Sequence, residues 1–232
     1  MSTTGTPAAP GRSPEADARL AADIAEIKSR YPVGRERSAL IPMLHLIQSV
    51  DGYVSPAGIA LCAQELDLTR AEVSAVATFY SQFRRHPVGT YHVGVCTNAL
   101  CAVMGGDEIW RAVAEYTGLG PDETSEDGVI SVERLECNAA CDYAPVVMIN
   151  WEFFDNQTPA SAVETIKALQ RGEDVAPTRG PETLPTFREN ERLLAGFEDG
   201  RAGEGGGAGE PSLRGLRIAR NQDWTAPKEE TK

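Results

Sequence analysis

The sequence predicts an α+β chain: a small N-terminal helical bundle, then a compact α/β layer, then a loose C-terminal stretch. Three observations carry that reading. Apolar residues recur every three or four positions as far as Phe83, alternate from Tyr91, and thin out after Gly172. Charge changes at similar places, with nine acids and nine bases in residues 1–85, fifteen acids and four bases in 86–176, and a net of −1 in 177–232. Composition loosens last, since Pro177, Pro181 and Pro185 space the chain and residues 196–209 hold seven glycines in 14 positions. The expected organisation is a disordered N-terminus over 1–12, a bundle over 13–86, an α/β domain over 87–175 and a flexible Gly/Pro-rich tail over 176–232.

Each helix of the bundle carries its own start signal. Ser13-Pro14 supplies an N-cap and a first-turn proline, and Leu20, Ile24, Ile27 and Tyr31 then share one face up to Pro32. A second helix is expected from Ser38, with Pro42 in its first turn, Leu40, Leu44 and Ile47 on one face, and Gly52 as its stop. Ser55-Pro56 opens a third over Ile59, Cys62, Ala63 and Leu66. Thr69 and Glu72 have capping-box spacing and open a fourth through Val73, Val76, Ala77, Tyr80 and Phe83. Leu44, Ile47, Val76, Tyr80 and Phe83 are read as a private core rather than a surface docked on a partner, because helical stripes usually face their own neighbours.

Beyond Pro87 the period becomes two. Tyr91, Val93 and Val95 alternate with Thr90, His92 and Gly94 up to Cys96, which is a strand. A helix follows through Ile109, Val113 and Tyr116 to Gly118, then strands over 129–135 and 146–149, then a helix capped by Thr158-Pro159 with Val163, Ile166 and Leu169 inward. Strand, helix, two strands, helix fits a thioredoxin-like layer arrangement.

Composition excludes several functions. A net charge of −12 argues against nucleic-acid binding, which needs clustered positive charge. No apolar run approaches the roughly 18 residues of a membrane span, and the N-terminus lacks the basic and apolar regions of a secretory signal. A reducing, cytoplasmic setting follows, in which five cysteines read as buried thiols, metal ligands or redox groups rather than disulfides. Residues 203–208 formally match GxGxxA, but no strand precedes and no helix follows, so no dinucleotide site is expected. No nucleophile motif or phosphate loop is found either.

Four cysteines form two close pairs, Cys96/Cys101 and Cys137/Cys141, each directly after an expected strand. Thiolates three or four residues apart can curl round one metal centre. Four of them satisfy tetrahedral zinc or the two irons of a 2Fe-2S cluster, and spacing alone leaves both open. A Rieske centre is disfavoured because His45, His86 and His92 all lie outside the cysteine loops. Cys62, alone on the apolar face of a helix, is assigned to burial.

The segments YPVGRERSALIPMLHLIQSVDGYVS, VGVCTNALC, DGVISVERLECNAAC and DYAPVVMINWEFFDNQTP decide between the metals. From about Tyr31 to Gly172 they closely resemble the thioredoxin-like 2Fe-2S subunit, the E-type subunit, of bacterial NADH:quinone oxidoreductases, the respiratory complex I family. The resemblance implies a thioredoxin-like 2Fe-2S ferredoxin domain with one cluster ligated by Cys96, Cys101, Cys137 and Cys141. It implies electron exchange with the FMN of a partner, the FMN-containing NADH-binding subunit, so that FMN and NADH lie on that partner and not on this chain. Other peripheral-arm subunits would be further partners, and the complex would hold the chain at the cytoplasmic face of the plasma membrane. Soluble NAD-linked hydrogenases and formate dehydrogenases share the module and are the near alternatives; a zinc-stabilised interaction domain is the remote one. The family's second loop commonly reads C-L-G-A-C, whereas here Asn138-Ala139 replaces Leu-Gly, so either Ala139 takes a strained positive φ or Asn138 absorbs the turn.

Two further expectations concern charge. Ten acids and two bases lie between Asp107 and Asp142. One carboxylate about 8 Å from a cluster contributes about 2 kcal/mol, or roughly 90 mV for one electron, so a low-potential centre is expected. In the tail, Leu213, Leu216 and Ile218 among Arg214, Arg217 and Arg220, followed by Trp224, read either as a tethered docking peptide for an acidic surface or as a solvated tail with no role.

Overall fold

A computed structural model describes residues 13–205 and 209–225. The expected N-terminal disorder over 1–12 lies outside the described residues. The described residues divide into two compact units, one from 13–93, 119–133 and 185–202, the other from 94–118, 134–184, 203–205 and 209–225.

In the first unit, α1 (Pro14–Ser29), α2 (Leu40–Asp51), α3 (Pro56–Glu65) and α4 (Arg70–Phe79) form where their caps stand. Ser13, Ser55 and Thr69 each accept from the amide three residues on, and Glu72 closes the box at Thr69. A 3-10 turn over Glu36–Ala39 precedes α2, whose Gly52 cap is left-handed at φ +81°. Leu20, Ile24, Ile27, Leu44, Ile47, Cys62, Val73 and Phe83 are buried in one core, with Val76 packed against it. The private-core reading holds for Leu44, Ile47 and Phe83. Tyr80 departs from it: α4 ends at Phe79, Tyr80 turns to extended backbone, and its side chain is 44% exposed.

Within the stretch expected to be a flexible tail the structure differs in two places, α8 (Phe187–Leu194) and α9 (Glu210–Asn221). The signal for α8 is in the sequence, since Thr186 and Glu189 form a capping box. Its buried face is half polar, which hides it from apolar periodicity: Phe187, Asn190 and Glu191 are buried. Glu191 Oε2 accepts from Gln48 Nε2 and bonds His45 Nδ1, both at 2.7 Å. Arg192 reaches Asp23 at 2.7 Å and stacks on Phe197. A buried carboxylate and its donors thus hold α8 to α2. No residue of α9 is buried, and Leu216, Ile218 and Trp224 are exposed.

A second buried trio lies in the same unit. Glu133 Oε2 accepts from Arg84 Nη2 and from His92 Nε2, the latter at 2.9 Å. Burial pushes the Glu133 carboxyl up, but the His92 and Arg84 hydrogen bonds and the guanidinium charge outweigh it, lowering the pKa from 4.5 to about 2. Burial lowers the His92 pKa, keeping the imidazole neutral. A carboxyl depressed on folding stabilises above its unfolded pKa and loses that contribution as pH falls from 4.5 through 2. About 3 kcal/mol should therefore disappear across that window. Urea midpoints should show the stability gap between the native chain and Glu133→Gln narrowing from pH 5 to pH 2; a gap constant with pH would refute the linkage.

The sheet formed by the described residues has the order β2-β1-β3-β4, from β1 (Tyr91–Cys96), β2 (Ile130–Leu135), β3 (Val147–Ile149) and β4 (Glu152–Phe154). Thr90 and Tyr91 donate to Gly128 and Val129, and Thr97 to Leu135, so the register ascends on both strands and β1 and β2 run parallel. Strand β4 is absent from the sequence reading. It pairs antiparallel with β3 across Asn150 and Trp151, both at positive φ, so a hairpin turn forms without the glycine that usually announces one. Helix α5 (Ala99–Val103) is likewise additional, whereas α6 (Gly106–Thr117), stopped at left-handed Gly118, and α7 (Pro159–Gln170), capped by Thr158, stand where expected.

Candidate metal centre

Parallel pairing of β1 and β2 decides where the cysteines go. Adjacent parallel strands end at the same edge, so the loops leaving them start side by side. Cys96 is the last residue of β1 and Cys137 follows β2 by two residues. Thr97 N–H donates to Leu135 O at 3.1 Å, and the Cys96 thiol donates to Glu136 O at 3.5 Å. Asn98 accepts from Ala99 N–H at 2.8 Å and so starts α5, which carries Cys101 inward. Gly106 then lies flush on this loop: a Cβ there would stand 2.5 Å from Cys96 O and 2.9 Å from Cys101 O. Any side chain at 106 would push the first loop out of place.

The second loop, Cys137 to Cys141, resolves the question raised by its sequence. Ala139 takes φ +53°, so alanine itself occupies the left-handed conformation. That costs about 1–2 kcal/mol relative to a right-handed residue. The Ala139 N–H donates to Cys137 Sγ, 3.3 Å away. Cys141 begins a short 3-10 turn over Cys141–Tyr143.

The four thiols share one electrostatic neighbourhood. Cys96 and Cys101 are buried; Cys137 and Cys141 are exposed. Burial pushes the Cys101 thiol up to about 11, with the Cys96 hydrogen bond and the Cys96 and Cys141 charges adding to it. Cys141 is raised by desolvation first, then by Cys137, Cys96 and Asp142. Thiols that raise one another need a cation to lose their protons together. No group of three or more His, Cys, Asp or Glu among the described residues is closed up tightly enough to hold a single metal ion. Four neighbouring thiols, two per loop, with an amide already directed at sulfur, fit the donor chemistry of a two-iron cluster. Cys62 takes no part: it is buried in the helical core, its pKa raised to about 12 by burial.

Sequence reasoning missed what the residues after Gly172 contribute. Thr178 N–H and hydroxyl both donate to Phe153 O, at 2.9 Å, seating the segment beside β4. Arg179 then reaches Asp142 at 3.3 Å and Asp155 at 2.7 Å, with its guanidinium over the Tyr143 and Phe153 rings. Ser212, in the first turn of α9, donates to Asp142, and Gly209 packs on the Tyr143 hydroxyl. The Asp142 carboxyl is held below its usual range by the Ser212 hydroxyl and by Arg179. Several expected potential-lowering acids are therefore compensated locally: Asp142 by Arg179, Asp107 by Arg134, Glu108 by Arg111. The only signal for this was a lone arginine in a proline-spaced stretch.

Comparison with known proteins places this architecture. The family model described as thioredoxin-like [2Fe-2S] ferredoxin matches residues 24–170. The E-type subunit of NADH-quinone oxidoreductase from Mycobacterium tuberculosis is 57% identical over 215 residues, 92% of this chain and 84% of that protein. NADH-quinone oxidoreductase subunit 2 of Thermus thermophilus is 34% identical over 143 residues, 62% of this chain and 79% of that protein. The crystal structure of an air-oxidised NAD+-reducing [NiFe]-hydrogenase superposes with a TM-score of 0.50 at 20% identity, covering 59% of this chain and 24% of that one, a likeness of fold. A family model spanning more than half the chain, and a relative alike along nearly all of it, make this chain a member of the thioredoxin-like [2Fe-2S] ferredoxin family.

Proposed function

We propose that this chain is the 2Fe-2S electron-transfer subunit, of the E type, of an NADH-quinone oxidoreductase, with its cluster held by Cys96, Cys101, Cys137 and Cys141. The observation that carries the reading is the convergence of both cysteine loops at one sheet edge in a chain 57% identical to a named E-type subunit along 92% of its length. A cluster of this kind accepts and releases one electron at a time. The chain's own residues hold it. The thiols of Cys96 and Cys101 form the buried wall, and those of Cys137 and Cys141 the solvent-facing wall. Backbone hydrogen bonds between the strand ends fix the loops before any metal arrives, and ligation releases the thiol protons.

The chain works as part of an oxidoreductase complex, and the partner that supplies electrons is the FMN-containing, NADH-binding subunit. Supporting this division, the GxGxxA match at 203–208 is, against expectation, followed by a helix, α9, but the element before it is α8 and not a strand, so it makes no dinucleotide turn, and the sequence has no phosphate loop. Among the described residues no helix is long and apolar enough to cross a membrane, so a membrane position, at the cytoplasmic face, would come through the other subunits. The test is purification with native partners from the source cell. The expected result is a brown complex whose 2Fe-2S signal is reduced by NADH only when the flavin subunit copurifies. A colourless, zinc-containing protein would refute the reading, and copurification with a hydrogenase or formate dehydrogenase would reassign the complex.

A further inference from the structure

The second cysteine loop contains a polar atom with nothing to bond. Asn138 Nδ2 has less than 1 Å² exposed and no hydrogen-bond partner among the described residues. A half-buried loop residue has an inexpensive alternative, since a side-chain rotation would take a short polar amide to water. Keeping the N–H donors inside without an acceptor is unfavourable. Asn138 stands between Cys137 and Ala139, whose own N–H is already directed at Cys137 Sγ at 3.3 Å. The loop thus carries two N–H donors on the residues that follow Cys137, one bonded to its sulfur and the other, Asn138 Nδ2, lacking an acceptor. What such a centre adds on loading is sulfur, both thiolate and bridging sulfide, and sulfur carrying negative charge accepts N–H hydrogen bonds.

We propose that Asn138 is a potential-setting donor: its side-chain amide hydrogen-bonds a sulfur of the bound cluster and stabilises the reduced state. The proposal rests on the cluster assignment above and deepens it. A donor to sulfur withdraws charge most usefully when the extra electron is present, so it raises the midpoint potential and opposes the uncompensated acids of the same segment. The strained Ala139 closes the same loop, and its N–H already donates to Cys137 Sγ.

Spectroelectrochemical titration of the full-length protein as purified with its cluster tests this, comparing native protein with Asn138→Leu and Asn138→Asp. With iron content unchanged, Asn138→Leu should shift the ratio of reduced to oxidised centre at fixed potential by up to tenfold toward oxidised, or about 59 mV. Asn138→Asp, which removes the donor and adds charge, should shift it further. A midpoint unchanged or raised in Asn138→Leu overturns the proposal. Should either variant lose its cluster, the native protein still decides. Reduced protein labelled with 15N in asparagine side-chain amides should show a 15N hyperfine coupling that persists in Asn98→Ser, and its absence overturns the proposal. Colourless native protein would instead refute the cluster assignment, independently of Asn138.

Discussion

Replacing any one of Cys96, Cys101, Cys137 and Cys141 by Ser should strip the chain of most of its iron and its visible absorption, whereas Cys62→Ser should keep both. The four thiols stand together at the edge where β1 and β2 end, where burial first and then the neighbouring thiols raise Cys101 and Cys141, as at a site that needs a cation. A serine alkoxide is a poorer ligand for iron, and the remaining three thiolates leave one coordination position open. Cys62 lies in the helical core, so its substitution costs packing and the burial of a hydroxyl, about 1–3 kcal/mol of stability, without touching the centre. Iron per chain and the visible spectrum of each purified variant provide the check. Full iron in any of the four, or colour lost in Cys62→Ser, would contradict the ligand set.

The second large effect concerns folding. His45→Leu should destabilise the first unit by about 3 kcal/mol, because it removes a donor from a carboxylate that has no access to water. Glu191 is fully buried, and His45 Nδ1 lies 2.7 Å from its Oε2. Gln48 stays behind as a donor, but its Nε2 also serves Gln82 O and its Oε1 accepts from Arg84 N–H, so it cannot move to compensate. Glu191→Gln, by contrast, leaves a neutral amide that His45 can still bond, and should cost about 1 kcal/mol. For a chain of this size the His45→Leu loss amounts to a fall in Tm on the order of 10 °C. Equal melting temperatures for the two variants would show that Glu191 is not held as a charged group.

Much of this molecule is local, and the local part was legible. Ser13, Ser55, Thr69 and Thr158 cap helices at the positions where they stand in the sequence, because capping needs only residues three apart. Alternation from Tyr91 marked β1 because one strand's two faces are set by its own residues. The cysteine pairs were conspicuous for the same reason, their chelating spacing being written within five or six residues. The hairpin at Asn150 and Trp151 was not, since its turn needs left-handed backbone at both positions and Trp151, unlike Asn150, rarely adopts it, so the β3–β4 pairing that favours it is not announced locally.

The rest depends on residues far apart in the chain. Ten acids near the cysteines announced a strongly negative site, yet Asp142 meets Arg179 across 37 positions and Asp107 meets Arg134 across 27. Helix α8 hides a glutamate whose partner lies 146 residues earlier, so its buried face reads as polar and a flexible tail was expected in its place. Ala139 carries a positive φ that its side chain disfavours, held by the loop around it. Sequence by itself determined the two cysteine pairs, their spacing and the strands that deliver them, because those are properties of neighbours along the chain. Tertiary structure alone decided which charges remain uncompensated around the centre and which polar groups hold the C-terminal stretch in place, because a charge is balanced by whatever packs within a few ångströms of it.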